Sequence, residues 1–324
     1  MIRRFRHLTG RELGALVLSS ALVVVLAAAA AVATDAGGAG DRFESLVARV
    51  ELFLDPPPDR PIQEAVLVTP RPSAPQSPRP ATPRPDPSAL PASVATPEPT
   101  PARVPVDRTI VDDPDAHFAP QADKDWCAPA GVQMVLATLG LADTSEALQR
   151  EIAARVGEWE SWRDSHNGEW GPSAMVAALD AYGAEGYQLR AYQTRQDALR
   201  DAAVAIDATG SPVVLLAWRG AHTWVMTGYR ADADPMLFAD AVVDGGYVLD
   251  PWYPRDSSIW GPSDPPNTYQ DAAEMVRNFL PWKRPEGLYP ERDGLFIAVV
   301  PTVAVAGRQG AAAGSPGTRQ VAGS

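Results

Sequence analysis

One cysteine stands among 324 residues, so neither a disulfide scaffold nor a zinc site built on a cysteine cluster is open to this chain. Histidine is almost as scarce, with four in all. Cys127, His117, His166 and Asp123 show no H-x3-H or C-x2-C spacing, so no metal and no cofactor is expected. Positive charge is short where the chain should fold: from Asp107 to Val300 there are 30 Asp and Glu against 15 Lys and Arg. A domain of that sign lacks the footprint that binds phosphate backbones, which excludes nucleic acid as a partner. Asp232, Asp234, Asp240 and Asp244 fit no EF-hand spacing and read as a solvated acidic loop. With 45% hydrophobic residues, roughly 200 residues are enough to bury a core without covalent staples.

A single long apolar run is present. Leu13 to Ala33 carries no charge, follows Arg3, Arg4, Arg6 and Arg11, and as a helix spans roughly 31 Å, enough to cross a bilayer. The arginines favour the cytoplasmic side, which puts everything beyond Ala33 outside. Ala31-Val32-Ala33 also fits a signal-peptidase site, so the segment reads as a single-pass anchor or a cleaved signal peptide. Either reading gives an extracytoplasmic domain.

Residues 1–12 form the basic cytoplasmic end and 13–33 the transmembrane anchor. Residues 34–106 begin with a short amphipathic segment, in which Phe43, Leu46, Val47, Val50 and Leu54 share one helical face. They continue as a proline-rich disordered linker, since 17 of the 33 prolines fall between Pro56 and Pro105. The folded domain is expected over 107–302, and 303–324 is a small-residue disordered tail.

Within 107–302 the apolar spacing predicts helices over Pro129–Leu141, Pro172–Tyr182 and Asp197–Ala208. Strands follow at Pro212–Trp218, Thr223–Tyr229, Gly246–Leu249 and Leu295–Val300, β-branched or aromatic runs bounded by Gly, Pro and Asp. Helices first and strands later predict an α+β fold.

The lone cysteine precedes Ala128-Pro129 at the start of the first helix, where unpaired N–H groups favour a thiolate. Burial as a small hydrophobe is the alternative. His222 stands directly before a strand, a rigid place from which to aim an imidazole, and Asp250 ends the next one in VLDPWYP. Gln121 lies six residues before Cys127, where its amide is a candidate oxyanion donor beside the Cys127 N–H. Trp126, Trp224, Trp252, Tyr253 and Trp260 surround these positions in sequence and suit an aromatic cleft.

These residues, in the order Gln121, Cys127, His222, Asp250 and in the blocks QADKDWCAPAGVQMVLATLG, GSPVVLLAWRGAHTWVMTGY and VLDPWYP, resemble the double-glycine-leader (bacteriocin-processing) peptidase-like family of papain-like cysteine peptidases. The resemblance spans about 107–302 and implies a papain-like fold, N-terminal helices on an antiparallel sheet. It also implies roles: Cys127 as nucleophile, His222 as general base and acid, Asp250 as orienter of the imidazole and Gln121 as oxyanion donor. Ala128 replaces the glycine usual after the nucleophile, and the segment from Ala231 to Gly246 is longer than the family's hairpin. The implied activity is hydrolysis of peptide or isopeptide bonds outside the cytoplasm, with peptides or proteins as substrates. Acyl transfer on the same thioester chemistry, or a binding module with a relic triad, are the alternatives.

Overall fold

The computed structural model describes residues 29, 47, 50, 54, 60, 62–69, 101–161, 164, 170–283 and 291–305. The expected anchor at 13–33 lies outside them except for Ala29, as do residues 1–12, 70–100 and 306–324. No helix among the described residues is long and apolar enough to cross a membrane. The chain divides into two units, 1–58 and 59–324. In the first, Val47, Val50 and Leu54 of the expected amphipathic segment are helical and exposed.

The second unit opens with β1 (Val66–Val68), inside the stretch expected as linker, and β2 (Val106–Thr109), which begins at the last residue of that stretch. Helices α1 (Cys127–Thr138), α2 (Glu146–Ala154) and α3 (Pro172–Ala181) follow, then β3 (Tyr187–Tyr192) and helix α4 (Arg195–Thr209). Next come β4 (Val213–Ala217), β5 (His222–Ala231) and β6 (Val243–Leu249). A small hairpin of β7 (Asp256–Ser257) and β8 (Gly261–Pro262) leads to β9 (Thr268–Gln270), helix α5 (Ala272–Asn278) and β10 (Phe296–Pro301).

The main sheet runs β1-β3-β10-β4-β5-β6-β9, and β2 pairs with the far end of β5. Every pairing is antiparallel except β1 with β3. Along β10 the side chains divide strictly. Ile297 and Val299 enter the core shared with α1 and α3, while Phe296, Ala298 and Val300 enter the core shared with α4 and α5. Burial on both faces explains why LFIAVV and VVLLA read as unbroken apolar runs instead of alternating ones. The α+β expectation holds in its helices and its largely antiparallel sheet, but the helices cover both faces.

Two boundaries differ from those expected. Val66–Val68 pairs in register with Arg190–Tyr192, and the Gln63 N–H donates to Ser173 Oγ at 2.6 Å while its side-chain carbonyl accepts the Leu189 N–H. Residues 70–100 therefore connect two strands of one sheet. At the other end Val305 is buried in the α1/α3 core, so the folded part passes residue 302. The period-2 signal of β3 in YQLRAY is present but interleaved with Gln188 and Arg190.

Helix α1 is buried on every side from Ala128 to Thr138. Its approach to β5 depends on Gly131, where an added Cβ would lie 2.3 Å from Thr223 Cγ2. That contact sets the helix bearing Cys127 against the strand that begins at His222.

The start of α3 is held by a carboxylate. Asp164 Oδ2 accepts the N–H groups of Ser173 at 2.9 Å and Ala174 at 3.1 Å, and Oδ1 accepts from Arg292 Nη2 at 2.8 Å, with both side chains fully buried. Asp164→Ala removes both the cap and the buried counter-ion and should destabilise the full chain by about 3–5 kcal/mol in urea unfolding, with Asp164→Asn costing less. An Asp164→Ala loss below about 1 kcal/mol would show that the pair carries little of the fold.

Candidate active site

Cys127 is the first residue of α1. No side chain caps this helix end: the preceding Trp126 makes no capping hydrogen bond, so the first N–H groups of α1 face the thiol's surroundings. The side chain is half-buried, with Sγ 4.0 Å from the carbonyl oxygen of Ala221.

His222 opens β5 and is 3% exposed. Its Nε2 lies 2.7 Å from Asp250 Oδ1, which leaves Nδ1 for a partner on the other edge of the ring. Asp250 is the residue after β6, so two adjacent antiparallel strands carry the pair. The Trp252 N–H donates to the same Asp250 oxygen at 2.9 Å and the Tyr253 N–H to its carbonyl at 3.1 Å, which fixes the carboxylate. Burial works against a charge on His222, but the Asp250 carboxylate and then Cys127 outweigh it and raise the imidazole from 6.5 to about 9. The ring is therefore held ready to carry a proton.

Aromatic groups enclose this ring. Trp218 stacks on it at 3.9 Å between centroids and 18° between planes, and Trp252 meets it edge-on at 6.4 Å. Trp260 lies parallel to Trp218 at 5.7 Å. The turn that delivers Trp218 is left-handed at three successive residues, Trp218 (φ 50°), Arg219 (φ 63°) and Gly220 (φ 84°). Two of these are not glycine and carry strain of about 1–3 kcal/mol each, which surrounding contacts must offset.

Gln121 is buried, and its expected role meets a different geometry. Its Nε2 donates to the carbonyls of Asp123 at 2.8 Å and Lys124 at 2.7 Å, while Oε1 is buried without a partner. Its backbone joins the two halves of the site: N–H donates to Pro251 O at 2.9 Å and the carbonyl accepts from Arg255 Nη2 at 3.0 Å. The same loop is braced from below, since Gln149 of α2 accepts the Ala122 N–H and donates to Pro120 O and Gln133 Oε1. Sequence spacing did not single out Gln133 and Gln149. Two glutamines on helices look solvated until the fold buries them together.

Other candidates divide. Trp252 and Trp260 join the site, Trp224 belongs to the core under α4, Trp126 lies under Arg150, and Tyr253 packs on Phe118. His117 contacts Ala137 O at 3.1 Å on α1, and His166 lies outside the described residues. In the acidic loop Arg103 bridges Asp232 and Asp240. Among the described residues no group of three or more His, Cys, Asp or Glu could hold a metal. Trp218, four residues before His222, was legible only as the end of a strand.

Residues 115–272 match the model of the Peptidase_C39 like family, a span that contains Gln121, Cys127, His222 and Asp250. Among solved structures the chain is similar to a double glycine motif protease from an AMS/PCAT transporter in complex with the leader peptide. The identity is 16% and the TM-score 0.32, over 57% of this chain and 91% of that one. No curated protein matches the chain.

The raised imidazole has a consequence for stability. The folded state holds the His222 proton more tightly than the unfolded chain does, so the contribution is complete below about pH 6.5 and is lost as pH rises through about 9. Unfolding free energies of the full chain should fall across that window by on the order of 3 kcal/mol. Asp250→Asn should flatten the slope, and an unchanged slope in that variant would show that Asp250 does not hold the proton.

Proposed function

We propose, from the match of residues 115–272 to the Peptidase_C39 like family, that this domain is a cysteine peptidase working outside the cytoplasm, with Cys127, His222 and Asp250 as its catalytic triad. The observation that carries the reading is the buried His222 ring, bonded to Asp250 at 2.7 Å and drawn toward its charged form by Asp250 and by Cys127, the one cysteine of the sequence. A proton on His222 and negative charge on sulfur stabilise each other, the pairing through which a cysteine acts as a nucleophile.

In this reading the Cys127 thiolate adds to the carbonyl carbon of a substrate peptide bond. The resulting oxyanion faces the N–H groups at the start of α1, with the Cys127 N–H as first donor. Gln121 Nε2 is engaged by Asp123 and Lys124, so it joins the oxyanion hole only by exchanging one of those carbonyls for substrate. His222 Nδ1 then gives its proton to the leaving amine, the C–N bond breaks, and an acyl-thioester remains on Cys127. Water, deprotonated by His222, attacks the thioester, releases the acid product and restores the thiol. Asp250 keeps Nε2 protonated and the ring aimed throughout. Trp252 and Trp260 supply apolar walls for an extended peptide. The apolar segment 13–33 serves as the membrane anchor in this proposal, with the domain on the far side from the basic N-terminus.

Because the chain has one cysteine, alkylation reports on it alone. With the full chain, iodoacetamide should modify Cys127 rapidly below pH 7, and His222→Ala should slow the reaction at pH 6 by about tenfold or more. A peptide library should be cleaved by the native chain and left intact by Cys127→Ala; hydroxylamine should trap the thioester as a hydroxamate, and the ratio of acid to amide product with an added amine acceptor separates hydrolysis from acyl transfer. An ordinary thiol profile, indifferent to His222→Ala and Asp250→Asn, would rule the catalytic reading out.

A further inference from the structure

The turn Trp218–Gly220 is held at each of its three residues by a segment that lies beyond the family match. The Trp218 indole N–H donates to Asn278 Oδ1 at 3.1 Å, and Asn278, 5% exposed at the end of α5, is itself fixed by Nδ2 to the Glu274 carbonyl at 3.2 Å and to Glu274 Oε2 at 3.1 Å. One residue on, the Arg219 carbonyl accepts the Lys283 N–H at 3.2 Å. Next, Gly220 is covered by the ring of Trp282, whose Cε3 would lie 2.3 Å from any added Cβ. Residues 278–283 thus clamp the left-handed turn 218–220 and press the Trp218 face onto His222.

A parallel stack at 3.9 Å places the electron-rich indole face over the imidazole, the arrangement that favours the cation over the neutral ring. The charged and titratable groups around this stack are Asp250, which touches His222, Cys127, which acts on its charge, and Asp264, Glu274 and Arg277, which line a cavity beside Trp218 and Asp250. We propose that Trp218, aimed by Asn278, is a positioning residue of this active site whose indole face holds the cationic form of His222 against Cys127. The proposal rests on the reading of Cys127 and His222 as a catalytic pair and adds what keeps that pair charged.

The stack acts on the ion pair, so its loss raises the pH at which the thiolate forms. In the full chain, the pH of half-maximal Cys127 alkylation should rise by about half to one unit in Trp218→Leu, a roughly 3- to 10-fold slower reaction at pH 6. Trp218→Phe keeps an aromatic face and should recover most of the shift. Asn278→Ala should move it the same way by less, and the double variant Trp218→Leu/Asn278→Ala no further than Trp218→Leu, because both act through one ring. Circular dichroism and the unfolding midpoint check that each variant is folded. If Trp218→Leu does not fold, Trp218→Met and Asn278→Ala decide. A native profile that depends on His222 but is unmoved by folded Trp218 and Asn278 variants overturns the positioning role alone. A native profile already indifferent to His222→Ala overturns the catalytic reading and this proposal with it.

Discussion

The approach of α1 to the start of β5 is the constraint on which the rest of the site depends. A glycine at 131 lets the helix lie against Thr223, whose methyl occupies the place where a Cβ would be. Cys127 begins that helix and His222 precedes Thr223, so one contact in the core fixes the distance between the two groups whose chemistry matters. Both sit on rigid elements, a helix buried on all sides and a strand in mid-sheet, where positional error is small. Asp250 follows by the same logic, since β6 pairs with β5 and its end comes beside the beginning of its partner.

Around this frame the loops are tied to each other. The loop before Cys127 and the turn after Asp250 meet at Gln121, bonded through its N–H to Pro251 and through its carbonyl to Arg255. Beneath them the Gln133 and Gln149 side chains pair inside the protein and hold Pro120 and Ala122. A buried amide without partners would cost on the order of 1–3 kcal/mol, so these amides specify one loop conformation and penalise the others. The partnerless Gln121 Oε1 is the exception, a buried acceptor in the middle of the site.

Much of this was legible because it is local. The proline at 129, the apolar spacing of α1 and the β-branched runs of β4 and β10 come from short-range chemistry, and the order Gln121, Cys127, His222, Asp250 carried the family resemblance. What escaped is long-range. β1 is three residues within a proline-rich stretch, and its partner β3 lies over a hundred residues away, so composition dominated its reading. Trp218 and Asn278 are 60 residues apart, and only the left-handed turn after β4 brings an indole back over the imidazole. The Gln121 amide shows the opposite lesson: its spacing from Cys127 marked it as an oxyanion donor, yet its hydrogen atoms face the chain's own carbonyls.

A buried histidine ordinarily loses its proton, because taking a charge from water into a packed interior costs several kcal/mol. Here the same burial removes water from Asp250 and Cys127, so their attraction for the ring is screened less, and the balance turns toward the charged state. The aromatic shell has two effects in that balance. Trp218 and Trp252 exclude solvent, which strengthens the Asp250 contact, and the Trp218 face adds a direct attraction for the cation that a saturated side chain could not. The strain in the 218–220 turn then has a physical reason. A relaxed turn would carry the indole off the ring and admit water to the Nε2–Oδ1 bond, and the clamp from residues 278–283 is what keeps the less favourable backbone in place.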